Sequence, residues 1–194
     1  METLVSPFLA LLVALHSGAL LASRGPHAGA SEPLAATATR LTQQGTTPPP
    51  ITEIRIDKSD HQLLLLAGGV VVRKFRIAIG SGGLGPKRFE GDKTTPVGTY
   101  RVTGRFKGLF HQFLVVSYPS EEDRKRFADL RAQGVVPAGR GVGFGIGLHG
   151  VGDKELSGIH KESDWTHGCI ALDDAEIDEL SLLVKDGTEI VITD

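Results

Sequence analysis

The sequence predicts a mainly β domain with two short helices, and three observations carry that reading. Roughly seven short segments between Ile51 and Asp194 alternate apolar and polar residues with the period of a pleated strand. Only two stretches combine a helix-starting residue with apolar residues three and four apart. The strands cluster instead of alternating with helices, which argues against a doubly wound parallel sheet.

The elements follow in order. Ile54 and Ile56 share a face of the first strand, and Asp57-Lys58-Ser59-Asp60 turns the chain into a second, His61 to Leu66. Ala67-Gly68-Gly69 makes a hairpin turn into VVVRKFRIAIG, where Val71, Phe75, Ile77 and Ile79 fall on one face. A glycine-rich loop then leads through Gly91-Asp92-Lys93-Thr94-Thr95-Pro96 to a strand from Val97 to Val102. It is no phosphate-binding loop, because no Gly-Lys-Ser/Thr opens a helix. Phe113 to Ser117 is the next strand. Ser120 caps a helix carrying Phe127 and Leu130, with Asp123 completing a weak capping box and Gly134 as the stop. After the glycine-rich AGRGVGFGIGLHG a short strand ends near His149. Asp173 caps a second helix with Ile177, Leu180, Leu183 and Val184, and Asp186-Gly187 turns into the last strand, Thr188 to Thr193.

Two segments precede this patterned region, so the chain divides into residues 1–22, 23–50 and 51–194. Leu4 to Ala22 is almost wholly apolar, with small residues at Ser17-Gly18-Ala19 and Ala28-Gly29-Ala30 that suit cleavage of a secretory signal. Its start departs from that pattern, because Glu2 is the only charged side chain before the apolar run. An N-terminal membrane anchor is the competing reading, weakened by Pro7, His16, Ser17 and Gly18. Either way the body of the protein is expected to be exported. Residues 23–50 read as a linker rich in Pro, Thr and Ala that ends in Pro48-Pro49-Pro50. A net charge of -2 provides no general basic field, so nucleic acid is not an expected partner. One cysteine excludes an internal disulfide framework and a multi-cysteine zinc site.

That cysteine, Cys169, closes the stretch Trp165-Thr166-His167-Gly168-Cys169, and His149 and His160 lie nearby in the sequence. Three readings compete. A free thiol is often a small buried hydrophobe. A metal site would draw on His149, His160, His167 and Cys169, whose spacing matches no ordinary zinc pattern. A nucleophile fits best: a thiolate attacking a carbonyl needs a histidine for its proton and backbone amides for the oxyanion, and a glycine beside it gives those amides room.

The segments around these residues resemble the signature of the L,D-transpeptidase catalytic domain (YkuD-like) family. That pattern is a histidine, a spacer, then Ser or Thr followed by His-Gly-Cys and an apolar residue. Sixteen residues separate His149 from Thr166, and Ile170 follows Cys169. Gly91-Asp92 through Thr95-Pro96, Gly98 and Tyr100 is similar to a second motif of the family, and Asp186-Gly187-Thr188 to its closing element. The resemblance implies a β-sandwich of mixed sheets with no cofactor and no catalytic metal, in the periplasm or cell envelope. It implies cleavage after residue three of a peptidoglycan stem tetrapeptide, through a Cys169 thioester passed to an amine of another stem or of an envelope protein. Two alternatives are a peptidoglycan-binding protein with a relict site and an L,D-carboxypeptidase or amidase using water. By the same resemblance, Cys169 is the nucleophile and His149 its base, with the Gly150 carbonyl orienting the imidazole. Gly168 and Cys169 offer oxyanion amides, His167 shapes the pocket, and Thr166 and Trp165 line the substrate cleft. Many members carry Arg or Asn where this chain has Ala171, so Lys87, Arg88 or Arg140 is expected to supply a contact to a substrate carboxylate.

Overall fold

The computed structural model describes residues 49–194, so the segment read as a signal or anchor and nearly all of the linker lie outside the described residues. Eight strands and two α-helices make up the described part. The strands are β1 (Glu53–Asp57), β2 (Gln62–Ala67), β3 (Val70–Arg76), β4 (Gly98–Gly108), β5 (His111–Val116), β6 (Gly147–His149), β7 (Ile170–Ala171) and β8 (Glu189–Thr193). The helices are α1 (Glu121–Ala132) and α2 (Asp174–Leu183). No described helix is long and apolar enough to cross a membrane.

One mixed sheet runs in the order β3-β2-β1-β8-β4-β5-β6-β7. Alternation sets its register. Leu65, Ile54, Ile190 and Tyr100 form a row across β2, β1, β8 and β4, and Leu63, Ile56 and Ile192 form a second row beside it. All seven are at most 2 % exposed, so a slip of one residue would turn the whole set to water. Burial of each such side chain contributes roughly 1.5–3 kcal/mol before entropy is counted.

β4 changes partners along its length, pairing with β8 up to Arg101 and with β5 from Val102. The register shifts between Val102 and Gly104, and a bulge of this kind bends its strand. The sheet therefore folds over at β4, and Leu114, Leu148 and Ile170 from the second half join the same core cluster as Ile54 and Ile190. Beyond β3, Ala78 bridges Ala171 and Gly80 bridges Thr166, which joins the two ends of the sheet. This closure carries the turn that holds Cys169.

Three details differ from the sequence reading. β7 was not expected, because two residues have no periodicity to detect. β4 runs on past Val102 to Gly108 as a half-exposed to exposed ribbon, where apolar alternation has no core to serve. Val71 is half-buried instead of lying on the core face, because a register shift between Leu65 and Leu66 breaks the period of β3.

Both helices begin as the sequence predicts. Asp123 N–H donates to Ser120 Oγ at 3.2 Å, and Ser120 N–H to Asp123 Oδ2 at 3.0 Å. Asp123 is buried and also accepts from Tyr100 Oη at 2.9 Å and Arg126 at 2.7 Å, so α1 hangs from a polar anchor. In α2, Asp173 N–H donates to Glu176 at 3.0 Å, and Ile177 and Leu180 are buried where the helix packs on β5 and β6.

Candidate active site

The turn that presents Cys169 is folded by its own threonine. Thr166 Oγ1 donates to the Cys169 carbonyl at 2.7 Å and accepts from Gly168 N–H at 3.2 Å. Backbone bonds clamp the same residue to the end of the β3 segment: Thr166 N–H to Ile79 O at 3.2 Å and Ser81 N–H to Thr166 O at 3.0 Å. Gly168 has a φ of 124°, and a Cβ there would sit 2.9 Å from the Thr94 carbonyl. Only glycine fits. The Gly168 amide, one of the two expected to face an oxyanion, bonds Thr166 within the turn. The Cys169 amide, by contrast, donates to no protein group among the described residues.

His149 lies on β6, and Cys169 immediately precedes β7, its parallel neighbour. The register is Leu148↔Ile170 and His149↔Ala171. Side chains alternate across a sheet, so Cys169, two residues before the Ala171 that pairs with His149, belongs by parity to the face of His149. Gly147 leaves that face open, and a Cβ on it would collide with the Phe113 ring. Phe113 stacks on His149 at 5.8 Å with 6° between planes, while Phe110 at 4.8 Å and Trp165 at 5.8 Å enclose the imidazole from other sides.

His149 Nδ1 lies 2.5 Å from the Gly150 carbonyl oxygen. A carbonyl only accepts, so Nδ1 carries the hydrogen and Nε2 of the neutral ring is left as the basic nitrogen. That carbonyl is fixed from the start of α2, where Asp174 Oδ1 accepts Val151 N–H at 2.8 Å and Gly152 N–H at 3.0 Å. Gly150 is itself required, since a Cβ would strike Asp174. Burial holds the His149 pKa below the ordinary imidazole value, the His160 imidazole adds to this, and the Gly150 bond opposes it. Burial raises the Cys169 thiol, while the Gly147 amide and the positive charge of Lys87 draw it down. Cys169 Sγ donates to the Gly145 carbonyl at 3.6 Å. Burial thus favours the neutral form of both the thiol and the imidazole.

A family model described as the L,D-transpeptidase catalytic domain (YkuD) matches residues 51–192. This chain belongs to the L,D-transpeptidase family. Among solved structures it is similar to the helical cell shape determining protein Pgp2 of Campylobacter jejuni, at 21 % identity and a TM-score of 0.50 over 75 % of this chain and 48 % of that one. A mutant of Pgp2 gives 18 % identity and a TM-score of 0.51 over 82 % and 54 %. An L,D-transpeptidase of Xylanimonas cellulosilytica gives 18 % identity and a TM-score of 0.48 over 79 % and 68 %. The chain thus spans about half of the Pgp2 structures and two thirds of the third. At these identities the two Pgp2 structures speak for the fold alone. A search of curated proteins returned no match.

The remaining predicted residues of this L,D-transpeptidase domain take different places. His167 is exposed on the rim of the turn. Trp165 is half-buried, edge-on to both His149 and His160, at 5.8 and 6.3 Å. His160 bonds Asp173 at 3.1 Å on the far side of Trp165. Among the described residues no group of three or more His, Cys, Asp or Glu side chains is arranged to hold a metal. Arg140 is exposed, lies 3.4 Å from where a Gly91 Cβ would be, and lines a surface pocket of about 330 Å³ together with Arg131. Ala171 is fully buried and bonded on both sides of its peptide to Ala78. Lys87 is buried and paired with Asp92 at 2.6 Å, which removes it as a free partner for a substrate carboxylate. Sequence reasoning missed Phe110, Phe113 and Asp174. The first two lay in a stretch read as loop and strand, and only Asp174, next to the predicted cap, carried a signal.

Proposed function

We propose that the domain is an exported cysteine acyltransferase acting on peptidoglycan stem tetrapeptides, with Cys169 as nucleophile and His149 as base. One observation carries the reading: a Gly150 carbonyl orients His149 so that its basic Nε2 belongs to the strand beside the cysteine. The thiol proton passes to Nε2 as sulfur attacks the carbonyl carbon of stem residue three. The Cys169 amide faces the oxyanion. Collapse expels the terminal D-alanine amine, which takes the proton from His149 and leaves a thioester. An acceptor amine then attacks the thioester, gives its proton to His149, and releases the thiolate. The acceptor amine belongs to another stem or to an envelope protein. Pgp2 is described as determining helical cell shape, and a comparable role in wall architecture is proposed for this chain.

The domain limits proposed are a signal or anchor at 1–22, a linker at 23–50 and the catalytic domain at 51–194, working in the periplasm or cell envelope. The reading predicts covalent acylation by a carbapenem. Intact mass of the whole chain should show one adduct on the wild type and none on Cys169→Ala. No adduct on the wild type, or an equal one on the variant, refutes the reading. Product analysis with and without an added amine separates transfer from hydrolysis.

A further inference from the structure

Cys169 lies between two glycine-rich walls, and one buried ion pair braces both. Lys87 Nζ donates to Asp92 Oδ1 at 2.6 Å, with side chains 3 % and 1 % exposed. Asp92 also accepts the amides of Arg88 at 2.6 Å, Phe89 at 3.3 Å and Thr94 at 3.0 Å. The carbonyl of Thr94 in turn lies against Gly168, beside the cysteine. On the other wall, Lys87 Cε packs beside Gly143, 3.3 Å from where a Cβ would be. Two residues on, the Gly145 carbonyl accepts from Cys169 Sγ. The pair therefore touches the supports of both segments that face the sulfur.

Taking both charges out of water is costly, and an apolar pair of similar volume often holds a loop as well. Loop bracing alone gives no reason for charge at this place. We propose that the Lys87–Asp92 pair is a positioning device for the reaction: Lys87 supplies the positive charge that favours the attacking thiolate of Cys169, and Asp92 holds the ammonium in place while partly neutralising it. The inference rests on Cys169 being the nucleophile. The other titratable or charged groups around it are His149 from β6, exposed His167 on the same turn, and Glu90 and Arg140 on the outer side of the loops. Against burial, the Gly147 amide draws the thiol down first, and the Lys87 charge adds to it.

The test is the pH dependence of Cys169 alkylation by iodoacetamide in the full chain, which has no other cysteine. Lys87→Met should raise the midpoint by about one pH unit and slow alkylation at neutral pH several-fold. Asp92→Asn, which leaves the ammonium without its counter-charge, should lower the midpoint. Lys87→Arg, which keeps the charge, should stay near the wild type. The proposal is overturned by an unchanged midpoint in a natively folded Lys87→Met, or by Asp92→Asn moving the midpoint in the same direction as Lys87→Met. A Lys87→Arg midpoint as displaced as that of Lys87→Met also overturns it, because each of these outcomes marks loop shape, not charge. Alkylation reads the thiol whether or not turnover occurs, so a failed carbapenem adduct and a failed midpoint shift are separate results.

Discussion

Burial pushes the Cys169 thiol up and the His149 imidazole down, so each favours its neutral form. On the proposed mechanism His149 must be unprotonated to accept the thiol proton, so activity is expected to fall as pH falls through its folded pKa, which lies below the ordinary 6.5. Phe113→Ala opens one of the three aromatic walls around the ring and so weakens the burial that depresses it. The acid limb of the kcat/KM profile should then move up toward 6.5, and an unmoved limb would show that Phe113 does not desolvate His149. At this scale the roles of Cys169, His149 and Gly150 were proposed from residue type and short spacing, and the Gly150 bond to His149 Nδ1 fits that reading. Phe110, Phe113 and the buried state of Lys87 were not, because their neighbours arrive from distant strands and loops. Ala171 was legible as a departure from the family. Its burial between β6 and the Ala78 bridge shows that a substrate carboxylate would need another partner, and of the three cations expected there Lys87 is already paired.

The site is assembled by elements that each contribute one constraint. β6 and β7 bring the proposed base near the turn of the proposed nucleophile, the Ile79–Ser81 segment clamps Thr166, and the first residue of α2 fixes the loop after His149. Asp174→Ala would free the Val151 and Gly152 amides and let the Gly150 carbonyl drift from Nδ1. A misplacement of this kind lowers kcat by roughly tenfold or more, with KM little changed because Asp174 is not placed to touch substrate. A fall in KM-linked binding alone would contradict that role. Caps and alternation made both helices and seven strands readable in advance, since these signals are local. The bulges in β3 and β4 and the two-residue β7 were hidden, because pairing partners far away in sequence create them.

On the scale of the described domain, buried charge ties the last residue and the glycine-rich loop to the core. Lys58 is fully buried and bonds the Gly85 carbonyl at 2.7 Å and Asp194 at 2.5 Å, joining the β1–β2 turn, the glycine-rich loop and the end of β8. Asp194, Asp92 and Asp173 are opposed by burial, yet Lys58, Lys87 and Lys161 with nearby amides hold all three carboxyls below the ordinary 3.8, Asp173 at about 2. For these groups the unfolded chain binds protons more readily. Their stabilisation is present above 3.8 and is lost as pH falls toward the folded values. His149 and His160 act earlier. Their folded pKa values are depressed, chiefly by burial, so the unfolded chain takes up protons first and stability drops as pH falls below 6.5. Urea unfolding followed across pH should therefore lose stability in two stages, one beginning below 6.5 and a second below about 4. His149→Gln should shrink the first stage and leave the second, because it removes one depressed imidazole and no carboxylate. A urea midpoint that stays level from pH 7 to 5 would contradict the buried neutral imidazole on which the base assignment depends.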